Sequence, residues 1–412
     1  MNREKLNNPF IALKHRNFRL YWLGMWVSLI GTWMQNIAQP WLAYSLTRSP
    51  LLLSLVGALQ FTPVLLFSLF AGVVVDRFPR KKILLFTQTS FLLITLTLAV
   101  LVFTGRVRYG HILLLASFMG VVNTLDMPTR QAFVVELVGQ RDLMNAIALN
   151  STVFNAARIA GPALAGIVMA SLGMGFCFLA NSLSFAAVIF SLFFIHPYPS
   201  PQVEERPRSP VWKEIKNGLL FIRRTPILLS TVAAMTVVGI FGANYSVLVP
   251  VFTKQVLHRG EAGFGFLLSF LGLGSLVGAL AVAAQSRSGP KRSNLEHAPL
   301  CLALLLIITG ITSRYLTTGV ALALTGFFFV TFTSTVNTTL QVNTSEEYRG
   351  RVMSVYSLVF GGSAPLGNLF SGAVTENFGP RIGFIACGVM IFLIFASALF
   401  LRSSETGCSG GR

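Results

Sequence analysis

Twelve apolar runs, each long enough to cross a bilayer as a helix, constrain this chain more than any other feature. They fall at 18–46, 51–75, 82–104, 110–135, 143–169 and 174–196, then at 226–254, 262–286, 298–314, 318–343, 350–375 and 381–402. A helix rising about 1.5 Å per residue needs roughly 20 apolar residues to span about 30 Å of hydrocarbon. Charged residues make up 11% of the chain and hydrophobic residues 53%. Soluble globular proteins carry about 25% charged residues, so the composition is that of an integral membrane protein. The expected fold is all-α, with twelve transmembrane helices in two pseudo-symmetric six-helix bundles. The segments are a polar lead-in at 1–17, a first bundle at 18–196, a linker at 197–225, a second bundle at 226–402 and a flexible tail at 403–412.

The formal net charge of +18 is a topology signal rather than a nucleic-acid signature. Cations collect in alternate loops: Arg3 to Arg19, Arg77 to Lys82, Arg206 to Arg224, and Arg287 to Arg292. The intervening loops hold few, among them Arg48, Arg106, Arg108, Lys254, Arg259, Arg314 and Arg381. Under the positive-inside rule this places both termini in the cytoplasm of a multi-pass protein of the plasma (inner) membrane. The N-terminus lacks a cleavable signal pattern, because its first apolar run is too long and continues as a span. The linker is Pro-rich at first, then carries Trp212, Ile215, Leu219 and Ile222 at helical spacing between cations. That spacing predicts an amphipathic helix at the interface.

Polar residues inside the spans are the candidates for function, since polar and charged groups in hydrocarbon are costly. Span 4 reads Asn123-Thr-Leu-Asp126-Met-Pro128-Thr-Arg130-Gln131. Asp126 and Arg130 lie four residues apart on one helix face and are able to pair, beside a bend at Pro128. Two readings stand: a protonation site at Asp126, or a structural ion pair. Span 5 carries Asn155, Ala157, Arg158, Gly161, Pro162, Ala165 and Gly166. Its small residues make a close-packing face, and Pro162 a bend. Arg158 is an intramembrane cation that needs a counter-ion, either Asp126 or an anionic group on a substrate. Span 1 carries Ser28, Thr32, Gln35, Asn36 and Gln39 along one face, with Trp22, Trp26, Trp33 and Trp41 beside them. Span 10 has a similar stripe in Thr331, Ser334, Thr335, Thr338 and Gln341. Such a stripe lines a helix contact or a water-filled cavity. Trp22 and Trp26 suit interface anchors, and Trp33 suits stacking on a ligand.

The basic loop after span 2 reads Gly72-Val-Val-Val-Asp76-Arg77-Phe-Pro-Arg80-Lys81-Lys82. Asp76 opposes the dipole of its own helix, so it serves a neighbouring cation or helix N-terminus. Gly72, one turn earlier, would let that neighbour approach closely. The pattern G-x-x-x-D-R-x-x-R-K resembles the loop between spans 2 and 3 of major facilitator superfamily (MFS) transporters. Pro79 stands where the superfamily usually has Gly, and this version is similar to the branch of siderophore (enterobactin) and macrolide exporters. The D-x-P-x-R-Q run of span 4 is similar to the same branch. Span 5 resembles the antiporter signature, with Ala in place of Gly at 157 and 165.

The halves echo one another weakly. Gly161-Pro162 matches Ala364-Pro365, and Leu172-Gly173 matches Phe378-Gly379, whereas the Asp of the basic loop has become Val282. The resemblance implies alternating access about a central cavity lined by spans 1, 4, 7 and 10. Thr32, Trp33, Gln35, Asn36, Gln39, Asn123, Asn155, Thr335 and Thr338 are its candidate lining. It also implies a latch, with Asp76 on the N-terminus of span 11 near Gly350 and Arg351, and Arg80 on Glu136. The expected activity is proton-coupled export of a bulky amphipathic small molecule, siderophore or drug, by a monomer in contact with lipid. The proton gradient is its energy source, with no other cofactor. Uptake or exchange of a small metabolite is the alternative.

An enzyme is not expected. The chain has no G-x-x-x-x-G-K-[ST] run, its five histidines are scattered, and its four cysteines form no CxxC pair, which speaks against metal and disulfide frameworks alike.

Overall fold

The computed structural model describes residues 9–196, 211–285 and 289–409, and every described element is helical. A short 3-10 helix, Ile11–Lys14, leads into α1 (Arg16–Thr47), α2 (Pro50–Arg77) and α3 (Arg80–Phe103). α4 (Tyr109–Ser171) runs through a turn at Gly139 (φ 70°) that divides it into two limbs, and α5 (Met174–Phe194) follows. Beyond the linker come α6 (Val211–Arg224), α7 (Pro226–Gly242), α8 (Tyr245–Gln255), α9 (Glu261–Ala284), α10 (Arg292–Ile311) and α11 (Tyr315–Val342). α12 (Glu346–Ser409) turns at Gly379 (φ 84°). Among the described residues, nine helical stretches are long and apolar enough to cross a membrane. Two of them hold two crossings each, on either side of Gly139 and Gly379, and the polar α1 completes the expected twelve.

Several boundaries differ from the sequence reading. The seventh span is broken at Ala243 and Asn244, because the Asn244 side chain donates to the Ile240 carbonyl at 2.7 Å and competes with the helix for it. The ninth begins earlier, at Arg292, and ends at Ile311. The helical backbone of α12 continues to Ser409, past the expected end at 402. The predicted linker helix is present as α6, where the Phe221 ring stacks on Tyr348 at 4.5 Å. The Trp212 and Ile215 side chains lie outside the described residues. The echo between Leu172-Gly173 and Phe378-Gly379 has a backbone meaning. Gly173 (φ 97°) and Gly379 both turn the chain through the left-handed region, where a side chain is strained.

The chain divides into two compact units, Met1–Leu42 with Thr62–Arg206, and Ala43–Phe61 with Pro207–Arg412. In the first, α1 lies directly against α5. A Cβ at Gly24 would meet Ser191 Oγ at 2.8 Å, and one at Gly31 would meet Asn181 Cα at 2.9 Å. In the second, α9 and α11 touch backbone to backbone at Gly274, Gly278 and Gly326. Without a hydrophobic drive between helices in lipid, such close approach supplies the packing energy. The second unit also holds the α1–α2 turn. There Glu376 accepts from Ser49 Oγ at 2.8 Å and from the Leu51 N–H at 3.2 Å, so a carboxylate caps the N-terminus of α2.

The lead-in to α1 is tied to the turn at Gly139. Asn145 accepts from the Ala12 N–H at 3.0 Å, and Asp142 lies 2.7 Å from His15 Nε2 and 3.1 Å from Lys14 Nζ. The hydrogen bond from His15, reinforced by Lys14, holds the Asp142 carboxyl below its ordinary range. A depressed carboxyl stabilises the fold fully above its unfolded pKa, about 3.9, and that contribution is lost as pH falls through the folded value. Asp142→Asn should therefore lower the melting temperature at pH 7, and the gap between the two proteins should close below about pH 4. Thermal melts of both proteins across pH 3–8 check this.

Candidate functional site

Three polar layers stack within the first unit. The outermost lies at the basic end. Arg80, at the start of α3, donates to Glu136 of α4 at 2.7 Å, and Lys81 donates to the Ile195 carbonyl at 2.8 Å, capping the C-terminus of α5. Arg77 is exposed. The Asp76 side chain lies outside the described residues. A Cβ at Gly72 would meet nothing within 4 Å in its own unit, so the close helix approach expected there is not made within it.

The second layer is built around Asp126, which is 3% exposed. About 20 Å of helix separates it from Gly139 and about 25 Å from Tyr109, so it lies in the middle of the first limb of α4. One carboxylate oxygen accepts from Thr87 Oγ1 and Gln88 Nε2, each at 2.7 Å, and the other accepts from Arg130 Nε. Arg130 also donates to Met25 Sδ and lies beside the Tyr21 hydroxyl. Helices α1, α3 and α4 thus close a polar box around one ion pair. Gln88 is fully buried, and its Oε1 has no partner. Sequence reasoning found Asp126 and Arg130 but not Thr87 and Gln88. The signal was there: two consecutive hydrogen-bonding side chains in the middle of an apolar span.

The third layer lies on the second limb of α4. Arg158 does not reach Asp126. It donates to Asn155 Oδ1 at 3.2 Å, and its Nε is buried without a partner. Gly161 lets α1 come so close that an added Cβ would overlap Trp33 Cβ. Trp33 then meets Phe154 edge to face at 5.7 Å. Ala157, Gly161, Pro162, Ala165 and Gly166 are all buried, so the small-residue run is a packing face here.

The polar stripe of α1 divides. Gln35 and Gln39 are closed inside the bundle, where Gln35 accepts from Asn181 at 2.7 Å and donates to Gln39 at 3.2 Å. They serve helix contact rather than an open cavity. Asn36 is exposed, while Thr32, Trp33, Asn123 and Asn155 are partly exposed. In the second unit, Thr333, Ser334, Asn337, Thr338 and Tyr356 line an open, uncharged groove of about 320 Å³. Thr335 is largely buried, accepts from Asn294 at 3.4 Å, and lines with Asn294 and Thr338 a second pocket of about 290 Å³. Among the described residues no group of His, Cys, Asp and Glu could hold a metal ion.

A buried carboxylate paired with an arginine, a polar groove and an all-helical chain of apolar spans are the features set beside known proteins. The family model described as transmembrane secretion effector matches residues 7–407. The chain belongs to that family. It is a transporter of the MFS type and not an enzyme. It is 23% identical over 385 residues to the staphyloferrin A transporter of Staphylococcus aureus, covering 92% of this chain and 96% of that protein. It is 25% identical over 380 residues to the multidrug efflux pump Tap of Mycolicibacterium fortuitum, covering 90% and 92%. The enterobactin exporter EntS of Shigella boydii is 23% identical and covered over 98% of both chains. In fold the chain is similar to a bacterial homologue of the human lysosomal transporter Spinster. The TM-score is 0.76 at 13% identity, over 94% of this chain and 96% of that one.

Proposed function

We propose that this transporter exports a bulky amphipathic small molecule, a siderophore or a drug, in exchange for protons, with both termini in the cytoplasm of a bacterial inner membrane. The observation that carries the reading is the pairing of the buried Asp126 with the largely buried Arg130 inside the first unit. A carboxylate at that depth is costly to keep without a role. Its protonation would release the Arg130 guanidinium from its partner and alter the packing of α1, α3 and α4 at one point. That is the kind of local charge change that biases a two-state element and so drives alternating access. The names of the staphyloferrin, Tap and enterobactin relatives support the substrate range. The cation asymmetry supports the orientation. No cofactor beyond the proton gradient enters the scheme.

The test uses inside-out membrane vesicles and fluorescein, a polycyclic dye. Vesicles holding the protein should accumulate the dye when a proton gradient, acid inside, is imposed, and lose it when a protonophore is added. Accumulation indifferent to the protonophore would contradict proton coupling, and absence of accumulation would contradict export of this substrate class.

A further inference from the structure

We infer that Arg158 is the anion-binding residue of the substrate site, so the exported molecule presents a carboxylate or a comparable paired-oxygen anion to the second limb of α4. This rests on the transport reading above and adds the chemistry of the cargo. Arg158 sits among Ala156, Ala157, Ile159 and Ala160, and about 20 Å of helix separates it from Ser171. An unpaired guanidinium at that depth is strongly disfavoured unless something in the working cycle pairs it.

Among its described side chains, the first unit does not supply that partner. Its carboxylates with described side chains are Asp126, Glu136 and Asp142. Asp126 is held by Arg130, Thr87 and Gln88, Glu136 by Arg80, and Asp142 by Lys14 and His15. Arg158 is left with a 3.2 Å contact to the neutral Asn155 amide on its own helix. Its Nε, the inner donor of the side-on fork that grips two oxygens at once, is buried and unpartnered. A lipid headgroup does not reach so far below the interface.

The surroundings fit an aromatic or bulky anion. Phe154 lies one turn before Arg158 on the same face and is 45% exposed, with Trp33 set against it. A flat apolar body on this wall would place its charged oxygens at the guanidinium.

Equilibrium dialysis of the full-length protein in uncharged detergent tests the assignment, using 2-naphthoate and its neutral isostere 2-naphthamide. The wild-type protein should prefer the naphthoate. Arg158→Gln should weaken naphthoate binding at least about tenfold, the loss expected for one charge-assisted hydrogen bond, and leave naphthamide nearly unchanged. Arg158→Lys should recover part of the loss. Equal wild-type binding of the two probes, or naphthoate binding untouched by Arg158→Gln, would overturn the proposal. So would equal weakening of both probes, which marks a structural role. Gel filtration of each variant shows that the fold is retained, since the glutamine removes a partly buried charge that has no counter-ion among the described side chains of its unit. Binding needs no gradient. A failed efflux assay with intact anion selectivity would count against proton-coupled export alone, and the reverse result against Arg158 alone.

Discussion

Gly274→Leu is expected to leave no monodisperse protein in detergent. A Cβ at this position would overlap the Ala323 carbonyl of α11 and come within 2.9 Å of Ala323 Cα. The obstacle is backbone, which has no rotamer to give, so α9 and α11 must separate along their whole contact. Gly278 would meet the Phe327 carbonyl at 2.5 Å, and Gly326 would meet Ser275 Oγ at 2.8 Å, so the strain cannot be shed one turn away. Overpacking of a side-chain contact costs about 1–3 kcal/mol, and a backbone contact in lipid belongs at or beyond the top of that range. The control is Gly361→Ala, where the added carbon meets nothing within 4 Å and helix propensity improves. Fluorescence-detected gel filtration should show aggregation for the first variant and a wild-type profile for the second. A monodisperse Gly274→Leu protein with an unchanged melting temperature would show that α9 and α11 do not meet as described.

The reasons Gly274 and Gly326 escaped notice in the sequence are physical. Apolar length and cation placement are local properties, and they made the twelve crossings and the amphipathic α6 legible. Close packing is a property of pairs of helices. Gly274 and Gly326 lie in different apolar runs, and nothing within either run marks the other as its neighbour. The same limit explains the polar box. Asp126 and Arg130 share a helix face, so their pairing could be read from a spacing of four. Thr87 and Gln88 come from α3, and only the fold brings them to 2.7 Å. Gln35 shows the converse error. Its place on a polar stripe suggested a cavity, but Asn181 of α5 takes up its carbonyl oxygen inside the bundle. The break in the seventh span turns on the one hydrogen bond from Asn244 to Ile240, which a sum over apolar residues cannot register.

Asp126→Leu alone should be severely destabilised. It leaves the Arg130 guanidinium, largely buried against Met25 and Tyr21, with no counter-ion, and breaking one side of a buried pair costs about 3–5 kcal/mol. Asp126→Asn should be milder. An amide at this position still accepts from Arg130, and its N–H finds an acceptor in the unpartnered Gln88 Oε1 once the Gln88 amide turns over. Replacing both partners by apolar groups of similar size, Asp126→Leu with Arg130→Met, removes the unpaired charge and should restore much of the lost stability. A structural ion pair and a coupling site predict the same pattern to this point. They part only when a proton gradient is applied.

Gradient-driven efflux by the Asp126→Leu/Arg130→Met protein, purified and reconstituted into liposomes, is therefore the measurement that bears most directly on the central claim. The folded double variant should bind fluorescein and exchange it down its own gradient, yet show no accumulation in response to an imposed pH difference. Accumulation at the wild-type rate, abolished by a protonophore, would show that protons couple elsewhere and that Asp126 and Arg130 do no more than hold three helices together.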